Sequence, residues 1–202
     1  WAKVKIRYYK FYENDYKSCS SDWDREKQCR NLLIKGLSNV SPNDRILLSD
    51  CDEIFNPFNL EYNNSICVYD LMKSRFFADY VCINNPIYRH AVSFKAVYLK
   101  KYSLYQLREA WQNRLKLFDN QKIIIIKNGG WHFSYLDNPK KIIFNKIKKF
   151  PKDFIPNNKV NLNFLRNNTE SMIRNGIDIY FSQNLWGRVK NYHLKTNFLN
   201  FA

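Results

Sequence analysis

The stretch RILLSDCDEIFNP, residues 45–57, sets three carboxylates at the end of an apolar run: Asp50 and Asp52 flank Cys51, and Glu53 follows at once. On an extended strand, residues i and i+2 point to the same side, so Asp50 and Asp52 are expected to face one way and Cys51 the other. Two carboxylates so placed suit one hydrated divalent ion. Hard oxygen donors favour Mg²⁺ or Mn²⁺, and an ion with only two protein ligands keeps positions that a diphosphate can fill. A second reading stands beside this one. An Asp-x-Asp triplet occurs in many loops, where it is a solvated acidic turn capping a short helix.

The elements around the cluster read as alternating helix and strand. Residues 3–9 (KVKIRYY) pattern as a strand. Asp22 is a candidate cap for a helix over residues 23–35, with Gly36 at its C-terminal end. Residues 46–49 form a short apolar strand of the kind buried on both faces of a parallel sheet. Asn56, Pro57 and Asn59 predict a turn into a short helix. Residues 66–83 and 91–99 are rich in Val, Ile, Phe and Tyr, as strands are. A helix capped by Ser103 is expected over residues 103–116. A strand over 123–126 is expected to stop at Asn128-Gly129-Gly130. A basic helix follows Pro139 to about residue 149, and another spans 161–175 before Gly176. The expected class is α/β, one domain over residues 1–202, with a mixed, mostly parallel sheet flanked by helices. The acids would then lie at the C-terminal end of a parallel strand, where open α/β sheets bind ligands.

Composition narrows the classes. The chain has 202 residues, 45% hydrophobic and 17% aromatic, a globular rather than disordered balance. No apolar run approaches the length of a membrane span, and residues 1–10 are too charged for a secretory signal. The formal net charge of +15 admits a nucleic-acid- or membrane-binding module without catalysis. Lys, Asn and Ile together make up about a third of the chain, as AT-rich coding favours, so the charge need not reflect a polyanionic partner. Five cysteines form no CxxC pair, which points to reduced structural thiols and a cytoplasmic setting.

Several blocks together resemble glycosyltransferase family 17, which includes β-1,4-mannosyl-glycoprotein 4-β-N-acetylglucosaminyltransferases. SDCDEI (residues 49–54) is similar to the family's SDVDEI signature, and NGGWHFSYL (128–136) resembles its Gly-Gly-Trp-His-Phe-Ser block. WDREKQCR (23–30), KIIFNKIKKF (141–150) and IRNGIDIY (173–180) match weaker blocks in order and approximate spacing. The chain departs from the family in three places. Phe55 stands where a proline is usual, Phe150-Pro151 replace a histidine, and the family's N-terminal segment has no counterpart, which implies a shortened member or a fragment.

The resemblance implies a GT-A-like, Rossmann-like fold. It also implies a metal-dependent inverting glycosyltransferase that takes a sugar from a nucleotide donor, with UDP-N-acetylglucosamine as precedent, to a glycan or lipid-linked glycan acceptor. Asp50 and Asp52 would hold Mn²⁺ or Mg²⁺ on the donor diphosphate. His132 would be a third ligand or a diphosphate contact, or else a buried histidine bonded to backbone. Trp131 would pack on a sugar ring or fill the core. Arg30 would reach the nucleotide or brace Asp50. Lys146 matches the family's lysine-bearing helix, and its basic face could rest on anionic lipid, giving a peripheral membrane contact. Glu53 and Asp178 are the candidate bases for the acceptor hydroxyl; the alternatives are that Glu53 caps the turn at Asn56 and that Asp178 pairs with a surface lysine. Arg108 would contact phosphate or, as a helix residue, be a solvated charge, the second being the expectation. His90 and His193 carry no assigned role, and no nucleic-acid partner is expected.

Overall fold

A computed structural model describes residues 9–61, 63–75, 80–82, 86–113, 123–134, 141, 167–168, 170–171 and 192–194. The strands are β1 (Arg45–Leu48), β2 (Glu53–Phe55), β3 (Ile66–Arg75), β4 (Tyr80–Cys82), β5 (Ile87–Tyr88), β6 (Val92–Lys95), β7 (Ile123–Ser134) and β8 (Tyr192–Leu194). The helices are α1 (Asp22–Leu32), α2 (Leu104–Arg108) and α3 (Ala110–Asn113). The class is α/β. Among the described residues no helix is long and apolar enough to cross a membrane. The chain forms two compact units: Trp1–Ser49 with Glu61–Val68 and His90–Ile126, and Asp50–Leu60 with Tyr69–Arg89 and Lys127–Ala202.

In the first unit, Ser21 rather than Asp22 caps α1, its Oγ accepting the Asp24 N–H at 3.1 Å. Asp22 and Asp24 then fall in the first turn, where acids complement the helix dipole. The helix passes into a 3-10 turn, Leu33–Leu37, so Gly36 lies inside a helical turn and does not close one. β1 pairs antiparallel with β6, Arg45 opposite Lys95 through Leu48 opposite Val92. β6 in turn lies antiparallel to the start of β3, Cys67 opposite Ser93. The Arg45 guanidinium ties this ladder together by donating to the Ser93 hydroxyl at 2.7 Å and to the Cys67 sulfur at 3.0 Å. Cys67 is a free, buried thiol, as its apolar run suggests.

The core of this unit joins Leu48, Ile66, Val68, Val92 and Phe94 from the strands to Tyr102, Leu104, Leu107 and Ala110. Leu104 and Leu107 share one face of α2 by the i, i+3 rule. Ser103 caps α2 as expected: its Oγ accepts the Gln106 N–H at 3.2 Å, and Gln106 Oε1 accepts the Ser103 N–H at 2.9 Å. Ser103→Ala keeps the second bond and loses the first. It is expected to cost about 1 kcal/mol in urea unfolding; an unchanged midpoint would remove the cap from the account.

The second unit corrects the expected sheet. β2 pairs antiparallel with β7, β3 with both β4 and β5, and β4 with β8. β7 also pairs β3. Their contacts ascend together, Lys127 on Asp70 and Ser134 on Ser74, which is the sense of a parallel pair. The sheet is therefore mixed, not mostly parallel. β1 is not a strand buried on both faces either. Leu48 is buried while Leu47 is exposed, the alternation of a strand with one face in the core.

A second correction concerns β7. The strand does not stop at Asn128-Gly129-Gly130 but runs through them to Ser134. Asn128 takes φ 51°, a left-handed conformation, and its carbonyl is clasped by the side-chain amides of Asn56 (3.2 Å) and Asn59 (2.9 Å). The turn predicted at Asn56 is present: the Asn56 side chain accepts the Phe58 N–H and caps the 3-10 turn Pro57–Asn59. Lys141, Asn167, Asn168, Glu170 and Ser171 are helical, as the two expected C-terminal helices require, while the rest of those helices and residues 3–8 lie outside the described residues.

Candidate functional site

The Asp-x-Asp triplet is a tight turn, not an extended strand end. The Glu53 N–H donates to the Asp50 carbonyl at 3.1 Å, closing a four-residue turn, and Glu53 Oε2 accepts the Asp50 N–H at 2.9 Å. The period-2 argument for Asp50 and Asp52 therefore does not apply. Nor does the placement at the end of a parallel strand, since β1 is antiparallel to its neighbour. Glu53 is buried, and its carboxylate clips the turn from within.

What the turn does instead is bring Asp52 to His132. The Glu53–His132 pairing of β2 with β7, and a bond from the Phe133 N–H to the Asp52 carbonyl at 2.8 Å, lay the turn against the Trp-His block. His132 Nε2 lies 3.6 Å from Asp52 Oδ2. The imidazole stacks on Tyr88, ring centroids 3.9 Å apart, which fixes its plane. Its Nδ1 is buried and has no hydrogen-bond partner among the described residues. Asp52 remains about a third exposed, so this pair of donors is open on one side. Among the described residues no cluster of three His, Cys, Asp or Glu side chains is set to hold an ion. The pair offers one oxygen and one nitrogen.

Strand alternation separates Trp131 from His132. Tyr88 and His132 occupy one face of the second unit's sheet, with Phe55 packed edge-on against Tyr69 at 4.9 Å. Trp131 belongs to the other face, where it lines a cleft of about 290 Å³ with Ile87, Met72, Asp70, Arg89 and Lys127. The expectation of one site holding both aromatic and imidazole is thus resolved into two places on opposite faces.

Asp70, Arg89 and Lys127 were not singled out by sequence. Asp70 is almost wholly buried, and both cations donate to it: Arg89 through Nε and Nη2, the latter at 3.3 Å, and Lys127 at 2.9 Å. Carried one residue on, the register pairing Leu71 with Tyr88 sets Arg89 opposite Asp70. A sequence signal existed, a lone carboxylate inside the apolar run ICVYDLM, which must be paired if buried. Burial alone would raise Asp70's pKa above 3.8, but the bonds from Arg89 and Lys127 outweigh it and hold the carboxyl below that value. A lowered folded pKa means the pairing stabilises fully above about pH 3.8 and loses its contribution as pH falls through the lower folded value. Arg89→Ala leaves burial less opposed. It is expected to cost about 3 kcal/mol at neutral pH and to move the acid loss of stability to higher pH. Unfolding midpoints from pH 3 to 7 check both, and parallel profiles for the two proteins would contradict the assignment.

The remaining expected residues scatter. Arg30 lies on α1 in the first unit, where it pairs with Glu26 at 2.8 Å. Lys146 and Asp178 lie outside the described residues, as does the side chain of His193. Arg108 is not a solvated charge. It is fully buried in the first unit and donates to the His90 carbonyl at 3.2 Å. His90 in turn faces Glu109 at 3.3 Å. Burial opposes Glu109's charge, yet His90 and Arg108 keep its pKa low. This cluster braces the α2–α3 junction.

Comparison with family profiles, curated proteins and solved structures finds no match to the chain.

Proposed function

We propose that the chain is a metal-dependent inverting glycosyltransferase of GT-A type, similar to family 17, acting on a nucleotide-sugar donor and a glycan or lipid-linked glycan acceptor. The observation that carries this reading is the approach of Asp52 to His132 within 3.6 Å, because it joins the two sequence blocks on which the resemblance rests. A carboxylate oxygen and an imidazole nitrogen at this separation fit Mn²⁺, which accepts both donor types, better than Mg²⁺, which prefers oxygen. Asp52 and His132 would hold the ion, with Asp50 on the same turn.

When bound, the ion would supply positive charge to the departing diphosphate. The protein's own part is orientation. Tyr88 fixes the His132 ring by stacking, and Glu53 fixes the turn by accepting the Asp50 N–H. That bond and its burial suit Glu53 to positioning, which leaves Asp178 as the proposed acceptor of the acceptor-hydroxyl proton. Arg30 and Lys146 remain proposed donor contacts on the resemblance alone.

Calorimetric titration of the full chain with UDP-N-acetylglucosamine, with and without Mn²⁺, tests the reading. Saturable binding only in the presence of metal is the expected result. Absence of metal-dependent binding to any nucleotide sugar rejects it. Retention on polyanions that falls steeply with salt would instead support a basic binding module.

A further inference from the structure

Phe58 is the most exposed of the large apolar side chains described, at 88%. We propose that it anchors the second unit to an anionic lipid bilayer, the turn Pro57–Asn59 inserting the Phe58 ring at the level of the headgroups and upper acyl chains. This goes beyond the transferase reading and does not rest on it.

The turn holds the ring out. Pro57 opens the 3-10 turn, where its fixed φ suits the backbone. The Phe58 N–H donates to the Asn56 side-chain oxygen at 3.1 Å, and the Asn59 N–H donates to the Asn56 carbonyl at 3.1 Å. The side-chain amides of Asn56 and Asn59 both donate to the Asn128 carbonyl on β7, which ties the turn to the sheet. The backbone beneath Phe58 is thus fixed before any partner arrives, and this lowers the ordering cost of binding.

Size and charge select the partner. Among the described residues of the second unit, the other exposed large apolar side chain is Ile54, at 50%. Two side chains fall well short of the roughly 800 Å² that each partner buries in a stable protein complex. A bilayer asks for less apolar surface, because its anionic headgroups add a second attraction. The chain carries a formal net charge of +15 and is drawn to such a surface. Acids do not crowd the turn: Glu53 and Asp70 are buried, and Asp50 and Asp52 precede β2 whereas Phe58 follows it. One inserted group alone attaches a protein marginally, and stable attachment takes two signals. Phe58 is the apolar signal and the basic chain is the electrostatic one.

The test uses the full chain, without nucleotide and with chelator present, so its outcome does not depend on the transferase reading. Co-sedimentation is measured with vesicles of phosphatidylcholine alone and of phosphatidylcholine mixed with phosphatidylserine. The parent is expected to bind the mixed vesicles, and phosphatidylcholine alone about tenfold more weakly or less tightly still. Phe58→Ala is expected to weaken binding to the mixed vesicles about tenfold. Phe58→Trp is expected to bind as the parent does. Its added fluorescence should shift to the blue on the vesicles and be quenched by bromine atoms on the acyl chains, beyond any quenching in the parent. An unchanged unfolding midpoint for Phe58→Ala secures the comparison; if it falls, the quenching of Phe58→Trp carries the test. No binding to the mixed vesicles overturns the proposal. So does a stable Phe58→Ala protein that binds them undiminished, which would leave charge as the whole attraction, or a Phe58→Trp protein quenched no more than the parent. A dimer in sedimentation velocity that Phe58→Ala dissolves, with no binding to vesicles, would overturn it in favour of a second copy of the chain.

Discussion

Gly130→Ala is expected to destabilise the second unit severely. At φ 145° the backbone of Gly130 is in a region that L side chains rarely adopt. A Cβ there would sit on the Ile54 carbonyl oxygen and within 3.0 Å of the Asn56 nitrogen, both backbone atoms of the paired strand. No rotamer change relieves a clash with backbone. β2 and β7 would have to separate where Phe55 pairs with Gly130, and the bond from the Asn56 N–H to the Gly129 carbonyl at 2.8 Å would go with them. Strain and lost pairing together predict a cost of about 4 kcal/mol or more. That is a large share of the roughly 5–15 kcal/mol that stabilises a typical domain. Urea unfolding and hydrogen exchange at β2 and β7 measure it. A variant as stable as the parent would mean the strands do not approach this closely. Gly130 is therefore explained by strand contact.

Asp52→Asn is expected to do the opposite: leave the fold intact and remove function. One structural bond of residue 52 is made by its backbone carbonyl, which accepts the Phe133 N–H and is unchanged by the substitution. The side chain is about a third exposed and fills no core. The substitution removes a negative oxygen beside His132. If the pair holds the ion, losing that charge is expected to lower kcat/KM by about a thousandfold, the several kcal/mol of transition-state charge stabilisation a bound cation supplies. Metal-dependent donor binding should be lost in the same protein. Both are read against an unfolding midpoint within about 0.5 kcal/mol of the parent. Full activity in Asp52→Asn would take the ion away from this turn. Loss of activity with loss of stability would show the carboxylate to be structural.

Much of the local structure was legible. Ser103 with Gln106 three residues on is a capping box in sequence and in space. Asn56-Pro57 announced its turn because the Asx side chain and the fixed proline φ act within a few residues. The apolar run beginning at Ile66 became the buried strand β3. Each of these depends on forces between near neighbours. The triplet at residues 50–52 was misread as strand because its alternation looked extended. The reciprocal bonds between Asp50 and Glu53 close it as a turn, and no spacing rule distinguishes the two. Asn128-Gly129-Gly130 looked like a strand end by composition, yet pairing with β2 carries the strand through it.

By itself the sequence determined where carboxylates, glycines and caps stand, and that the chain would be α/β, since periodicity and side-chain chemistry are local properties. Only the tertiary structure decided which strands pair and in which sense. It brought Asp52 to His132 across 80 residues of chain, turned Trp131 to the opposite face, and gathered Arg89 and Lys127 onto Asp70. The physical reason is that register and burial are set by long-range packing. A charge such as Arg108 or Asp70 is driven inside only when the fold supplies partners that outweigh its desolvation.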